Sequence, residues 1–311
     1  MSIVTRHIFR LLFSLAILLF FILHATKTVE WEFIDALEHT AYDVRLELTM
    51  PNTRDERIVI IDIDERSLSE IGRWPWNRSV IADLVDQLFD TYKIDILGLD
   101  VVFAEPDDSS GLTKLRNLAQ GPLKKAPVFL QTLAELEKKL DYDGLLANSL
   151  AKHRVVLGYA FTGEHDSEAG QLPISVFQRG DFKSIEYKTA NGYVANLAKF
   201  QANAMSGGHF EMEPDSDGIV RRVPMLYGYK NKLYESLSLA IARLALPKSK
   251  LNFQSSTLLE VGQQKISTDK HLQALIPYQG KWNTFAYVSA ADVIHKRIKN
   301  PNLLKNKIVL L

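Results

Sequence analysis

The stretch IVIIDIDERSLSEIGRWPWNR, residues 58–78, decides the fold class of this chain. Five of its first six residues are β-branched, which is typical of a strand buried on both faces of a parallel sheet. Apolar residues then recur at helical spacing from Ile81 to Phe89, and a second apolar run follows at 94–104. Strand, helix and strand in this order make a crossover connection, so we expect the two strands to lie parallel in one sheet.

The remaining segments extend this pattern to an α/β fold with a mixed, largely parallel sheet and flanking helices. We predict helices at 31–47, 129–140 and 143–153, from about 236 and after Ser289, and strands at 155–161 and 305–311. A hairpin is predicted around residues 215–218, with short strands near 258, 264 and 274–278. Residues 107–140 are predicted to form a surface excursion.

The N-terminus carries a membrane-directed segment. Arg6, His7 and Arg10 precede LLFSLAILLFFILHAT, which is uncharged through residues 11–26. A transmembrane helix at 8–29 has about the length needed to span a bilayer, and the positive flank predicts a cytoplasmic N-terminus at 1–7. A cleaved signal peptide is the alternative, but no convincing cleavage site follows the apolar core. Both interpretations predict that residues 30–311 are exported.

The composition excludes several classes of function. Lysines plus arginines and aspartates plus glutamates number 37 each, so no net charge favours a nucleic-acid partner. The absence of cysteine excludes disulfides, thiolate catalysis and cysteine-ligated zinc. No sequence motif of common nucleotide-binding or acyl-transfer enzymes occurs, and no pair of histidines has zinc-ligand spacing.

Acidic side chains follow both strands of the predicted crossover. Asp62 and Asp64 end the first strand, Asp100 and Glu105 lie at the end of the second, and Arg78 is near enough to pair with them. Because the carboxyl ends of parallel neighbours meet at one sheet edge, we expect these carboxylates to converge in one pocket. Carboxylates that converge repel one another and need a cation, a proton or an arginine, and a divalent metal supporting phosphoryl transfer fits chemically.

A structural interpretation of the same residues stays open. Asp64 caps the following helix, Asp100 and Glu105 accept hydrogen bonds from loop amides, and Arg78 neutralises the cluster. Trp74 and Trp76 either stack on a ligand ring or pack on the core.

A second acidic segment, DSDGIVRR, begins at Asp215. Asp217 and Gly218 resemble the start of a calcium loop, but the later ligands are missing. We therefore predict a tight turn, with Arg221 close behind it.

Five blocks in fixed order resemble the CHASE domain of the second type: DIDERSLSEIGRWPWNR, GLDVVFAEPD, DSDGIVRRVP, YESLSLAIARLA, and YVSAADV with KNKIVLL. The resemblance spans residues 31–311. It implies an extracytoplasmic sensory domain of a bacterial receptor, preceded by one membrane helix and followed by two or three more. It also implies a cytoplasmic output such as a nucleotide cyclase, a diguanylate cyclase or a kinase. The family's signature positions correspond to Asp62, Asp64, Trp74, Pro75, Trp76, Arg78, Asp100, Phe103, Asp217, Gly218, Arg221 and Pro224.

The leading hypothesis is a membrane-anchored sensor region that is not itself an enzyme and that ends within its last strand, before the C-terminal membrane helices. A small molecule or a protein is the expected signal. The candidate contacts are Asp62, Asp64, Trp74, Trp76, Arg78, Asp100 and Glu105. We expect a homodimer formed through residues 31–47, where the apolar stripe continues the membrane helix. The alternative is a periplasmic metal-dependent phosphohydrolase that uses Asp62, Asp64 and Asp100.

Overall fold

The structure, a computed structural model, describes residues 3–26, 28–29, 31–164, 167–178, 185–246, 250–281 and 284–311. The chain divides into two compact units, one formed by Met1–Asn52 with Tyr278–Lys281 and the other by Thr53–Pro277 with Trp282–Leu311. Each unit is described by itself.

The helices and strands alternate along much of the chain. The helices are α1 (Ile3–Ala25), α2 (Glu32–Thr49), α3 (Glu65–Ile71), α4 (Arg78–Asp86), α5 (Leu112–Gln120), α6 (Pro127–Leu140), α7 (Tyr142–Lys152), α8 (Ala198–Gln201), α9 (Leu237–Ala245) and α10 (Ala290–Ile294). The strands are β1 (Ile58–Asp62), β2 (Ile96–Leu99), β3 (Val155–Thr162), β4 (Glu168–Ala169), β5 (Phe177–Gln178), β6 (Gly192–Val194), β7 (Ser206–His209), β8 (Arg222–Pro224), β9 (Leu226–Tyr229), β10 (Lys232–Glu235), β11 (Leu251–Ser255), β12 (Leu258–Val261), β13 (Gln264–Ser267), β14 (Gln273–Leu275), β15 (Ala286–Ser289) and β16 (Ile308–Leu310).

The first unit consists mainly of two helices. Within α1, residues Arg6–Ala25 have a mean hydropathy of 2.4 and expose almost all their side chains, and 20 residues of helix span about 30 Å. This length suits the hydrocarbon core of a bilayer. The observed helix begins before the predicted residue 8 and ends at Ala25 rather than at residue 29. The second helix, α2, agrees closely with the predicted helix at 31–47.

The second unit is built on the predicted largely parallel sheet. The strands run in the order β15, β1, β16, β2, β3, and each neighbouring pair is parallel. Strand β7 also pairs in parallel with β3, whereas the C-terminal residues of β3 pair antiparallel with β6. The α/β fold class is therefore confirmed. Strands β1 and β2 are parallel but not adjacent, because β16 lies between them.

Helices cover both faces of this sheet. On one face, Ile81 and Leu84 of α4 and Leu88, two residues after its end, are fully buried with Leu97 and Leu157 of the sheet. On the other face, the buried side chains of β2 and β3 contact α9. Glycine permits the close approach of α9, because a β-carbon on Gly208 would lie 2.4 Å from the Cα atom of Leu237. On β1, Val59 and Ile61 belong to the same buried cluster as α4, whereas Ile58 and Ile60 are only partly buried. The predicted burial of this strand on both faces is therefore incomplete.

Four local predictions need correction. Strand β2 has four residues, not the eleven of the apolar run 94–104, because the chain leaves the sheet after Leu99. The excursion 107–140 contains the additional helix α5. Strand β8 pairs with β14, so no hairpin forms around residues 215–218. Ser289 precedes α10 without capping it through its side chain.

Candidate functional site

The predicted convergence of acidic side chains at the sheet edge is wrong. Ile60, Leu310 and Gly98 are in register across β1, β16 and β2, so Asp62 and Asp100 occupy corresponding positions two strand spacings apart. That separation is about 10 Å between backbones. Within the described residues, Asp62, Asp64 and Asp100 do not form a group with ligand atoms within 4.8 Å of one another. The inserted strand is the physical reason.

Asp64 is a helix cap held by two serines. Its Oδ1 atom accepts hydrogen bonds from the Ser67 N–H (2.8 Å), the Ser67 hydroxyl (2.6 Å) and the Ser289 hydroxyl (2.9 Å). Hydrogen bonds from Ser67 lower the pKa of Asp64. The Ser67 hydroxyl, which is fully buried, also accepts a hydrogen bond from the Ala291 N–H at 3.0 Å. Asp64 therefore joins the starts of α3 and α10, as the structural interpretation expected of a cap.

Asp62 and Asp100 have different surroundings. The Asp62 side chain is exposed and makes no hydrogen bond or ion pair within the described part of the chain. Asp100 is also exposed, and its backbone N–H donates to the carbonyl of Leu311 at 2.9 Å. Neither carboxylate therefore holds neighbouring segments together among the described residues.

Arg78 lies at the start of α4, where it holds the loop after β2. Its guanidinium stacks 4.4 Å from the centre of the Phe103 ring and donates to the Glu105 carbonyl at 3.4 Å. Its backbone N–H donates to Asp107 Oδ2 at 2.7 Å. Burial lowers the pKa of Arg78, and the charges of Asp107, Asp143 and Glu105 oppose this effect. Of the acidic residues near Arg78, Glu105 belongs to the predicted cluster, whereas Asp107 and Asp143 do not.

Asp107, Asp143, Lys199 and Asn196 complete this region, although sequence analysis did not single them out. Asp143 is buried, accepts a hydrogen bond from the Asp107 N–H at 3.3 Å and lies 3.5 Å from Lys199 Nζ. Partial burial raises the pKa of Asp107, but hydrogen bonds from Ser109 and from the Arg78 N–H hold it below its usual value. Asn196, fully buried, joins the Phe103 N–H to the Gly158 carbonyl. No local motif marks these residues, because they come from three separate segments of the chain.

The two tryptophans belong mainly to the core. The Trp76 side chain is buried, and its indole N–H donates to the Gly72 carbonyl at 2.8 Å. The Trp74 ring meets it edge to face at 5.5 Å. Beside them, Pro75, Trp76, Arg78 and Glu105 line a cleft of about 200 Å³. This volume is below the usual range of about 300–1,000 Å³ for small-molecule sites.

The acidic turn at residues 215–218 forms as predicted. The Gly218 N–H donates to the Asp215 carbonyl at 2.8 Å, and Gly218 has a φ of +81°. Arg221, only 4% exposed, donates to Asp215 at 2.8 Å and to both Asp217 carboxylate oxygens at 3.0 and 2.7 Å. Arg221 thus pairs with both aspartates of the turn.

Asp64 and Asp62 allow a matched test of the structural interpretation. We expect Asp64→Ala to lower the free energy of unfolding by about 1–2 kcal/mol, because it removes a helix cap and its serine contacts. Asp62→Ala should change it by about 0.5 kcal/mol or less. Urea unfolding of the full chain, followed by tryptophan fluorescence, measures both.

The lowered pKa of Asp64 sets the pH dependence of its contribution to the free energy of unfolding. Its stabilising contribution is present above the unfolded pKa of about 3.9 and is lost as the pH falls through the folded value. Equal stabilities of the two variants at pH 7 would contradict the capping role.

Comparison with known families gives one match. The sequence model of the CHASE2 domain family matches residues 14–311, which is essentially the whole chain. This confirms the family that the five sequence blocks predicted. No curated protein and no solved structure matches the chain.

Proposed function

We propose, on the premise that this chain belongs to the CHASE2 domain family of extracellular sensory domains of receptors, that it is the sensor region of a bacterial signal-transduction receptor. In this proposal the second unit lies in the periplasm and α1 anchors it in the inner membrane. The receptor's output is a cytoplasmic nucleotide cyclase, diguanylate cyclase or kinase. The observation that carries the proposal is the family match over essentially the whole chain.

The charge and hydropathy of the N-terminus support this orientation. Arg6 and Arg10 lie at the N-terminal end of the candidate span Arg6–Ala25, and positive residues favour the cytoplasmic side. With the N-terminus inside, the chain that follows α1 is exported. The signal then has to be recognised outside the cell and transmitted through the membrane.

Signal transmission requires two receptor states that bind the signal with different affinity. We propose that two copies of the chain associate through α2. Four apolar side chains of this helix, Phe33, Leu37, Val44 and Leu48, are 74%, 53%, 53% and 81% exposed. At 100° per residue they lie within about 60° of one another, so they form one stripe. This stripe, named here the α2 stripe, follows directly after the membrane anchor.

No observation within the described residues favours the alternative phosphohydrolase. Its three proposed ligands are separated in the sheet, and Asp64 is engaged by two serines. The region is therefore proposed to sense rather than to catalyse.

Single cysteines test the proposed orientation, because the chain contains no cysteine of its own. We expect Ser109→Cys, in an exposed loop, to react with a membrane-impermeant maleimide in cells whose outer membrane has been permeabilised. Thr5→Cys should react only after lysis of the inner membrane. An amino-terminal tag that remains attached in the membrane fraction would distinguish an anchor from a cleaved signal peptide. The reverse labelling pattern would contradict the proposal.

A further inference from the structure

A larger cavity lies in the second unit, away from the strand-end residues discussed above. It has a volume of about 650 Å³, within the usual range for small-molecule sites. Its walls come from the loop after β4, the segment joining α8 to β7, helix α9 and the start of β11. Ile174, Met205, Arg243 and Lys250 are among the described residues that line it.

The charge of this cavity is positive. Arg243 and Lys250 line it, and none of the described lining residues is acidic. Behind the wall, the buried Glu235 accepts hydrogen bonds from Arg243 at 2.9 and 2.6 Å, so the charge of Arg243 is largely compensated. Lys250 makes no ion pair within the described part of the chain. The uncompensated charge therefore favours an anionic ligand.

Apolar side chains complete the chemistry of the site. Ile174 is 95% exposed and Met205 is 53% exposed, and both line the cavity. Such residues gain from contact with an apolar ligand group. We infer that this cavity binds a small amphipathic organic anion that carries an apolar part next to its negative charge. That this ligand is the receptor's signal rests on the proposed function, but its binding does not.

The charge of the site can be tested without knowing the natural ligand. In the full chain, Met205→Cys places a thiol in the cavity wall, and its reaction rates with a sulfonate-bearing and a trimethylammonium-bearing methanethiosulfonate are compared. Lys250→Gln should lower the anionic-to-cationic rate ratio roughly fourfold at low ionic strength. Lys265→Gln removes the same charge from an exposed position on β13 outside the lining and should leave the ratio unchanged. Equal effects of the two substitutions would overturn the proposal.

Ligand chemistry is tested with three matched probes. 3-Phenylpropionate has the carboxylate and the ring, whereas 3-phenyl-1-propanol lacks the charge and propionate lacks the ring. We expect phenylpropionate to protect Met205→Cys from labelling at about tenfold lower concentration than either analogue. Failure of phenylpropionate to protect, or equal protection by all three, would overturn the proposal. The orientation assay is independent of this result, so the two proposals can fail separately.

Discussion

Replacement of Arg221 by methionine is expected to lower the free energy of unfolding by about 3 kcal/mol. Arg221 is almost fully buried and donates three hydrogen bonds to Asp215 and Asp217. Removing one partner of a buried charge network costs far more than removing an exposed ion pair, because the remaining charges lose their compensation. The side chains of Asp215 and Asp217 are 26% and 38% exposed, so water can partly solvate them after the substitution. The expected loss therefore lies at the lower end of the range of about 3–5 kcal/mol for breaking a buried ion pair.

Arg222 offers a matched control one residue away. Its side chain is 40% exposed, and its ion pair with Asp269 is 3.8 Å long. Arg222→Met should therefore change the free energy of unfolding by less than about 1 kcal/mol. Urea unfolding of the full chain gives both values. If the two variants unfold at the same urea concentration, the Arg221 network does not hold this turn in place.

The fold class was predictable because its signal is local. The β-branched run at residues 58–63 forms β1, and the helical spacing after Ile81 forms α4. Strand neighbours were not predictable, because pairing joins distant segments. Strand β16 enters between β1 and β2, and β8 pairs with β14 rather than with a strand close in sequence. Local periodicity contains no information on either choice.

The same limit explains the outcome at the candidate site. The individual acidic residues at the strand ends were visible in the sequence, but their convergence depended on the strand order. The Asp64 contact with Ser289 and the Asn196 contacts with Phe103 and Gly158 join segments far apart in the chain. The turn formed by Asp215 and Gly218 was predictable, because its residues are contiguous.

The α2 stripe gives the second large expected effect. Replacing Leu37 and Val44 together by glutamine should weaken self-association of the full chain by at least about 100-fold, or about 2.7 kcal/mol. A symmetric dimer uses the same surface of both copies, so each substitution removes two apolar side chains from the interface. Fully burying a leucine or valine contributes about 1.5–3 kcal/mol, and partial burial of four such side chains supplies the expected loss.

Glu38 and Arg45 provide the control for this experiment. Each lies one residue after a stripe position, is exposed, and points about 100° away from the stripe. Glu38→Gln with Arg45→Gln ends in the same side chains and leaves the net charge unchanged, so it should preserve association. Sedimentation of the detergent-solubilised full chain measures the dissociation constant of each variant. Equal weakening by both pairs, or by neither, would show that the α2 stripe is not the contact between receptor copies, and the coupling of sensor to membrane would then have to use another surface.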